Sequence, residues 1–158
     1  MSIDQRAFRD SLGLFATGVC LVSLVDSDGE AHALTVNSFA SVSLDPPLVL
    51  WSLQKDSDIY HLYASAPRFG IAMLSAEQDL LSSAYATKGG HRLDSAHYDS
   101  GTNGAPVIKD ALVNFECSLE QALDGGDHTV LLCRVTRLVP GDDAQPLLFY
   151  SGQYRGLL

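Results

Sequence analysis

Basic residues are scarce in this chain. Ten Lys plus Arg stand against nineteen Asp plus Glu among 158 residues, a formal net charge of −9. Affinity for a polyanion comes from a basic face, so this balance argues against a nucleic-acid partner. A single anionic group is still compatible with it, because backbone N–H groups and one or two cations suffice to hold one. Cysteine is also sparse: Cys20, Cys117 and Cys133 form no CxxC pair and no cluster with histidine. That usage fits free, buried thiols in a reducing cytosol and excludes a disulfide framework. Long hydrophobic runs are missing as well, and none reaches the ~20 residues that a bilayer-spanning helix needs. Leu14–Val25 is apolar, but the preceding Asp4, Arg6, Arg9 and Asp10 cancel where a secretory leader would be positive. The expectation is a cytoplasmic protein with no membrane partner.

Several chemical signatures are absent too. Gly13 and Gly18 have P-loop spacing, but Val19-Cys20 follows where Lys-Ser/Thr must reach phosphate and magnesium. There is no GxGxxG after a strand, no GxSxG elbow and no HExxH helix. The histidines at 32, 61, 91, 97 and 128 lack metal-ligand spacing, so no metal site is expected.

What is present is a globular balance, 46% hydrophobic and 18% charged, at a length that suits one domain over 1–158. Ile3, Phe8, Leu12 and Phe15 recur at helical intervals behind a Ser2/Gln5 capping-box spacing. Val19–Val25, the turn at Asp26–Gly29 and His32–Ser38 read as a hairpin. Pro46-Pro47 separates Val42–Leu44 from Leu48–Leu53, whose continuous apolar run suggests burial on both faces. Ser57 or Asp56 can cap a short helix before Pro67, and Ser75/Gln78 repeat the capping-box spacing before another. Thr87–Gly104 is polar with four glycines and reads as a long surface loop. Val113, Phe115, Cys117 and Leu119 alternate with Asn114, Glu116, Ser118 and Glu120, giving a strand with one apolar and one polar face. A turn at Asp124–Asp127 leads into Thr129–Leu138, and Leu147–Tyr150 adds a last strand. About seven short strands with three helices indicate a mainly antiparallel sheet rolled into a closed or half-closed barrel.

Thr35-Val36-Asn37-Ser38-Phe39-Ala40-Ser41 gathers hydroxyl and amide groups between two apolar strands. By residues alone, two readings stay open: a strand end whose polar side chains satisfy turn backbone, or a rim of donors and acceptors for a planar polar ligand. His128 is likewise either a polar strand end or a ligand-facing side chain.

The order of these motifs resembles the short-chain flavin reductase family. The resemblance runs from FRDSLGLFATGVC through TVNSFASVSLDPPLVLWSL, APRFGIAML, GAPVIKDALVNFECSL and Gly126-Asp127-His128 to PLLFYSGQY, nearly the whole chain. It implies an antiparallel, Greek-key-like FMN-binding split β-barrel with about three short peripheral helices. It further implies an oxidoreductase in which NADH or NADPH reduces bound FMN, with FAD as the alternative. Members of the family are often partners of a flavin-dependent monooxygenase, and because a barrel this short leaves its flavin partly exposed, a homodimer that completes the pocket is expected. Residue by residue, Thr35, Val36, Asn37 and Ser38 match the segment along the flavin ring and ribityl chain. Ser52, Lys55 and Ser57 match the ribityl and phosphate segment, and Ala86, Lys88 and Arg92 match the loop closing over the phosphate. His128, Gly152 and Tyr154 match the nicotinamide side. The chain departs from the family pattern at Asp58, where a carboxylate would repel phosphate unless it points away, and at Tyr85 and Leu93. A flavin-binding electron-transfer or storage module, and a split-barrel oxidase acting on another substrate, stay open as alternatives.

Overall fold

The structure, a computed structural model, describes residues 1–158. In chain order its elements are α1 (Gln5–Leu12), β1 (Thr17–Gly18), β2 (Cys20–Val25), β3 (Ala31–Val36), β4 (Ala40–Leu44), β5 (Pro47–Gln54), α2 (Tyr60–Tyr63) and β6 (Arg68–Met73). There follow α3 (Asp79–Ala86), β7 (Tyr98–Ser100), β8 (Pro106–Ile108), β9 (Val113–Gly125), β10 (His128–Pro140), β11 (Leu148–Tyr150) and β12 (Gln153–Arg155). Two 3₁₀ turns lie at Ala76–Gln78 and Ser95–His97. No helix is long and apolar enough to cross a membrane.

Seven strands form the main sheet in the order β3-β2-β6-β9-β10-β5-β4, every pair antiparallel. Its two edges, β3 and β4, are joined in the chain by only Asn37–Phe39, so the sheet must curl until its edges meet. Ser38 closes the seam: its Oγ accepts from Ser52 N at 2.9 Å and donates to Ser52 O at 3.2 Å. Curling has a covalent cause here, and one side chain stitches it.

Side-chain alternation then makes two cores. Val22, Leu24, Val49, Trp51, Leu53, Phe69, Ile71 and Leu131 fill the barrel, with Trp51 edge-on to Tyr63 and Phe69 at 5.7 and 6.0 Å. Val19, Leu21, Ala33, Ala72, Leu74 and Leu147 point outward and are covered by Tyr85 and Leu93. β2 therefore carries apolar residues on both faces because both are buried. β5 does not follow that expectation: Val49, Trp51 and Leu53 are buried, while Leu48, Leu50 and Ser52 are half-exposed. Over Ser52 and Gln54 that face is the wall of the cleft described below.

Three local expectations also change. The first helix is capped by Asp4, whose Oδ1 accepts from Ala7 N at 2.8 Å, and it stops at Leu12. The supposed polar face of β9 is covered, with Asn114 and Glu116 buried. Asn114 exchanges two hydrogen bonds with Ile108, and Glu116 accepts from Thr102 and Asn103, folding the 87–104 segment down onto the barrel. Finally, a two-residue turn at Ser151-Gly152, both at positive φ, pairs β11 with an additional strand, β12.

Candidate functional site

Because Trp51 and Leu53 point into the barrel, Ser52 and Gln54 lie on the opposite face of β5. Antiparallel register sets His128 opposite Gln54 and Val130 opposite Ser52. Facing them is the end of β3 with its crossover, Thr35, Val36, Asn37 and Ser38. Together with Leu34, and with Ser57 at one end, these residues enclose a polar cleft of about 230 Å³. His128 is fixed by its neighbour: Asp127 Oδ1 lies 2.7 Å from Nδ1, which leaves Nε2 free. That hydrogen bond also holds the Asp127 carboxyl below the usual carboxylate range.

Asn37 is a junction. It lines the polar cleft, an apolar cavity of about 250 Å³ walled by Val19, Phe39, Met73 and Leu147, and a groove of about 700 Å³ beside Leu12, Phe15, Phe149 and Gly152. Thr17 Oγ1, on the wall of the apolar cavity, is buried without a hydrogen-bond partner. An apolar slot with an orphan hydroxyl, sharing Asn37 with a rim of amide, hydroxyl and imidazole groups, suits a flat ring that is apolar at one end and polar at the other. A flavin is such a ring.

The other sequence-derived candidates sit around this cleft rather than in it. Lys55 is ion-paired with Asp124, which raises the amine and lowers the carboxyl from their ordinary values. Ala86 is the exposed last residue of α3, Lys88 is exposed just past it, and Arg92 pairs with Glu30. Gly152 lines the groove, and Tyr154 directs its hydroxyl to Ser82 Oγ at 2.7 Å. Ser82 O in turn accepts from Thr35 Oγ1 at 2.7 Å, so Tyr154 acts behind the β3 wall. Ser57 is not a helix cap: α2 has four residues, its cap position is Ile59, and Ser57 Oγ accepts from Ile59 N at 3.5 Å. The short Ile59–Tyr63 segment has no length for the longer helix, since the chain must turn at once into β6.

Comparison with known proteins decides the family. The flavin reductase like domain profile matches residues 12–158. The chain belongs to the flavin reductase family. FMN reductase (NADH) SmoA of Agrobacterium fabrum is 43% identical over 96% of this chain and 85% of its own length. NADH-dependent flavin reductase StyB of Pseudomonas fluorescens is 37% identical over 99% and 92%. Among solved structures, Streptomyces globisporus NADH:FAD oxidoreductase SgcE6, in complex with NAD and FAD fragments, superposes with a TM-score of 0.91 at 32% identity, covering 100% of this chain and 97% of that one. The split-barrel fold of this flavin reductase is as its sequence implied.

Two departures from the family pattern have structural explanations. Asp58 is engaged within the protein; it accepts from Gly89 N at 2.8 Å and faces His91 Nε2 at 3.1 Å. Leu93 is buried beside Tyr85, whose hydroxyl meets His97 Nδ1 at 2.9 Å and accepts from Asp94 N at 3.0 Å. Sequence reasoning missed Gln54, although it lies two residues from Ser52 on one face, a spacing that was available. It also missed Thr17 and His91, for which no local signal exists. The three cysteines of this flavin reductase are buried, and burial pushes the Cys20 and Cys133 thiols up to about 12, which removes them as nucleophiles.

Proposed function

We infer that this chain is an NAD(P)H-dependent flavin reductase, with residues 1–158 acting as one cytoplasmic domain. The observation that carries the reading is the Asn37 junction of polar cleft and apolar slot, in a chain 43% identical to an FMN reductase. FMN is the favoured flavin, with FAD as the second, and the names of the relatives favour NADH over NADPH. Bound flavin supplies the hydride acceptor and the nicotinamide the hydride. The protein's part is to bind, orient and exclude water. Asn37, Ser38, Ser52 and Gln54 line the polar rim, and Thr17 offers its unsatisfied hydroxyl in the apolar slot. Ser57, Lys55 and the Ala86–Lys88 loop take the ribityl and phosphate end. His128, held by Asp127, would orient the nicotinamide against the flavin; Gly152 and Tyr154 support the same side through the groove and Ser82.

Anaerobic mixing of the protein with FMN and NADH is expected to bleach the flavin absorbance. No bleaching above the protein-free rate, with NADH or NADPH, would sink the reductase reading. His128→Ala is expected to slow hydride transfer or weaken NADH about tenfold, one hydrogen bond's worth, with FMN affinity little changed. An equal loss of FMN affinity would place His128 on the flavin side.

Related flavin reductases serve two-component systems: BorF, at 36% identity and a TM-score of 0.89, is the reductase component of a bacterial tryptophan halogenase, and HsaB of Rhodococcus jostii, at 35%, is a monooxygenase reductase subunit. These support a role in delivering reduced flavin to a partner monooxygenase. A homodimer is supported by α1, which buries no residue while Phe8, Leu12, Leu14 and Phe15 stand exposed beside the groove. Such a patch needs cover, and a twofold copy is the commonest. Light scattering of the flavin-bound protein should give the mass of two chains; a monomer that keeps its flavin contradicts this.

A further inference from the structure

The barrel wall is closed at two places and open between them. Toward the start of β3, the segment after α3 runs along the strand's free edge: Ala33 N donates to His91 O and Leu93 N donates to Ala31 O, each at 2.8 Å. Past its end, Ser38 stitches the crossover to Ser52. The polar cleft lies between these closures. β2 is the only strand beside β3, and the two pair from Ala31 to Val36 without a bulge. Successive residues of an antiparallel strand direct their backbone groups to alternate sides. Ala31 and Ala33 bond away from β2, so Leu34 and Val36 bond toward it and Thr35 turns away again. No strand lies on that side, and no turn or loop bond reaches Thr35 N or O. Thr35 thus presents an N–H beside a C=O to the cleft, both unpaired within the chain. The side chain keeps this edge in place: Thr35 Oγ1 donates to Ser82 O on α3 at 2.7 Å, and Ser82 Oγ is 2.7 Å from the Tyr154 hydroxyl.

We propose that this open edge of β3 reads the imide of the flavin ring: Thr35 N–H donates to a ring carbonyl, and Thr35 C=O accepts from the neighbouring ring N–H. This rests on the flavin-site reading above. An imide places an N–H between two carbonyls, so one half of it matches an edge residue as the next strand of a sheet would. Asn37 and Gln54 line the same cleft and carry side-chain N–H donors for the second carbonyl. The dimethylbenzene end of the ring has no hydrogen-bonding group, and the apolar slot beyond Asn37 suits it. Selectivity follows from this arrangement. The imide proton is required, because a methyl group in its place clashes with Thr35 C=O and leaves that oxygen desolvated and unpaired. Donor and acceptor are both main-chain groups, which no side-chain substitution at position 35 removes. The ligand is therefore the part to alter.

Two measurements on the full chain test this, with riboflavin and N3-methylriboflavin as probes. Hydrogen exchange in the free protein should show the Thr35 amide unprotected between protected Leu34 and Val36 amides. Saturating riboflavin should then slow exchange at Thr35 at least about tenfold. By flavin fluorescence, N3-methylriboflavin should bind at least about tenfold more weakly than riboflavin. Protection of Thr35 in the free protein overturns the open edge. Equal affinity for the two flavins, or bound riboflavin that leaves Thr35 exchange unchanged, overturns the imide pairing and leaves the flavin site standing. An unprotected Thr35 with no binding of either flavin sinks the flavin-site reading, and the pairing with it.

Discussion

Trp51→Ala should be the most damaging single substitution in the barrel, lowering stability by about 3–5 kcal/mol. Trp51 is fully buried and touches the sheet from inside, edge-on to Tyr63 of α2 and Phe69 of β6. Tyr63 is held back from the space, because its hydroxyl is tied to Val22 O at 2.9 Å. A domain of this size has about 5–15 kcal/mol in total, so roughly a fifth or more of its stability is at stake. The melting temperature should fall by about 6–20 °C, with flavin affinity falling beside it, because Ser52 is the next residue on the strand. Circular dichroism melts read the first effect. A shift of under about 2 °C would mean that the barrel interior is not organised around this ring.

Ser52→Phe should separate binding from folding. The Ser52 side chain lines the cleft, but its tie to Ser38 runs through its backbone N and O. A phenyl group therefore fills the polar cleft and leaves the seam intact. FMN affinity should drop at least about a hundredfold, roughly 3 kcal/mol, while the melting temperature stays close to native. Unchanged FMN affinity would remove the cleft from the site. A collapse of stability instead would show that β5 cannot accept bulk on that face, and Ser52→Val then serves as the milder probe.

The parts of this architecture that depend on local pattern were legible in the residues. The Ser75/Gln78 capping box is formed, with Gln78 Oε1 accepting from Ser75 N at 3.0 Å. The β2–β3 hairpin and the β9–β10 pair follow from alternation and turn residues. What escaped depends on partners distant in sequence. Nothing around Asn114 or Glu116 reveals that residues 101–108 fold over them, so an alternating strand was read as half-solvated. The strand expected at Leu147–Tyr150 is β11, whereas β12 has three residues, too few to show a period, and only the Ser151-Gly152 turn betrays it. The site behaves the same way. Thr35–Ser38, Ser52, Ser57 and His128 meet in one cleft, but only because curling of the sheet brings β3 to β5. Asp58 looked like a misplaced charge because its partners, Gly89 and His91, lie some thirty residues away.

The claim on which everything else depends is that flavin lies where the polar cleft meets the apolar slot at Asn37. Backbone amide NMR during titration with FMN tests it most directly. The account predicts that the largest shifts fall on Asn37, Ser38, Ser52, Gln54 and His128, and that subsequent NADH under nitrogen moves His128 again as the flavin bleaches. Shifts confined to the α1 groove, at Leu12–Phe15, with the cleft amides unmoved, would contradict it.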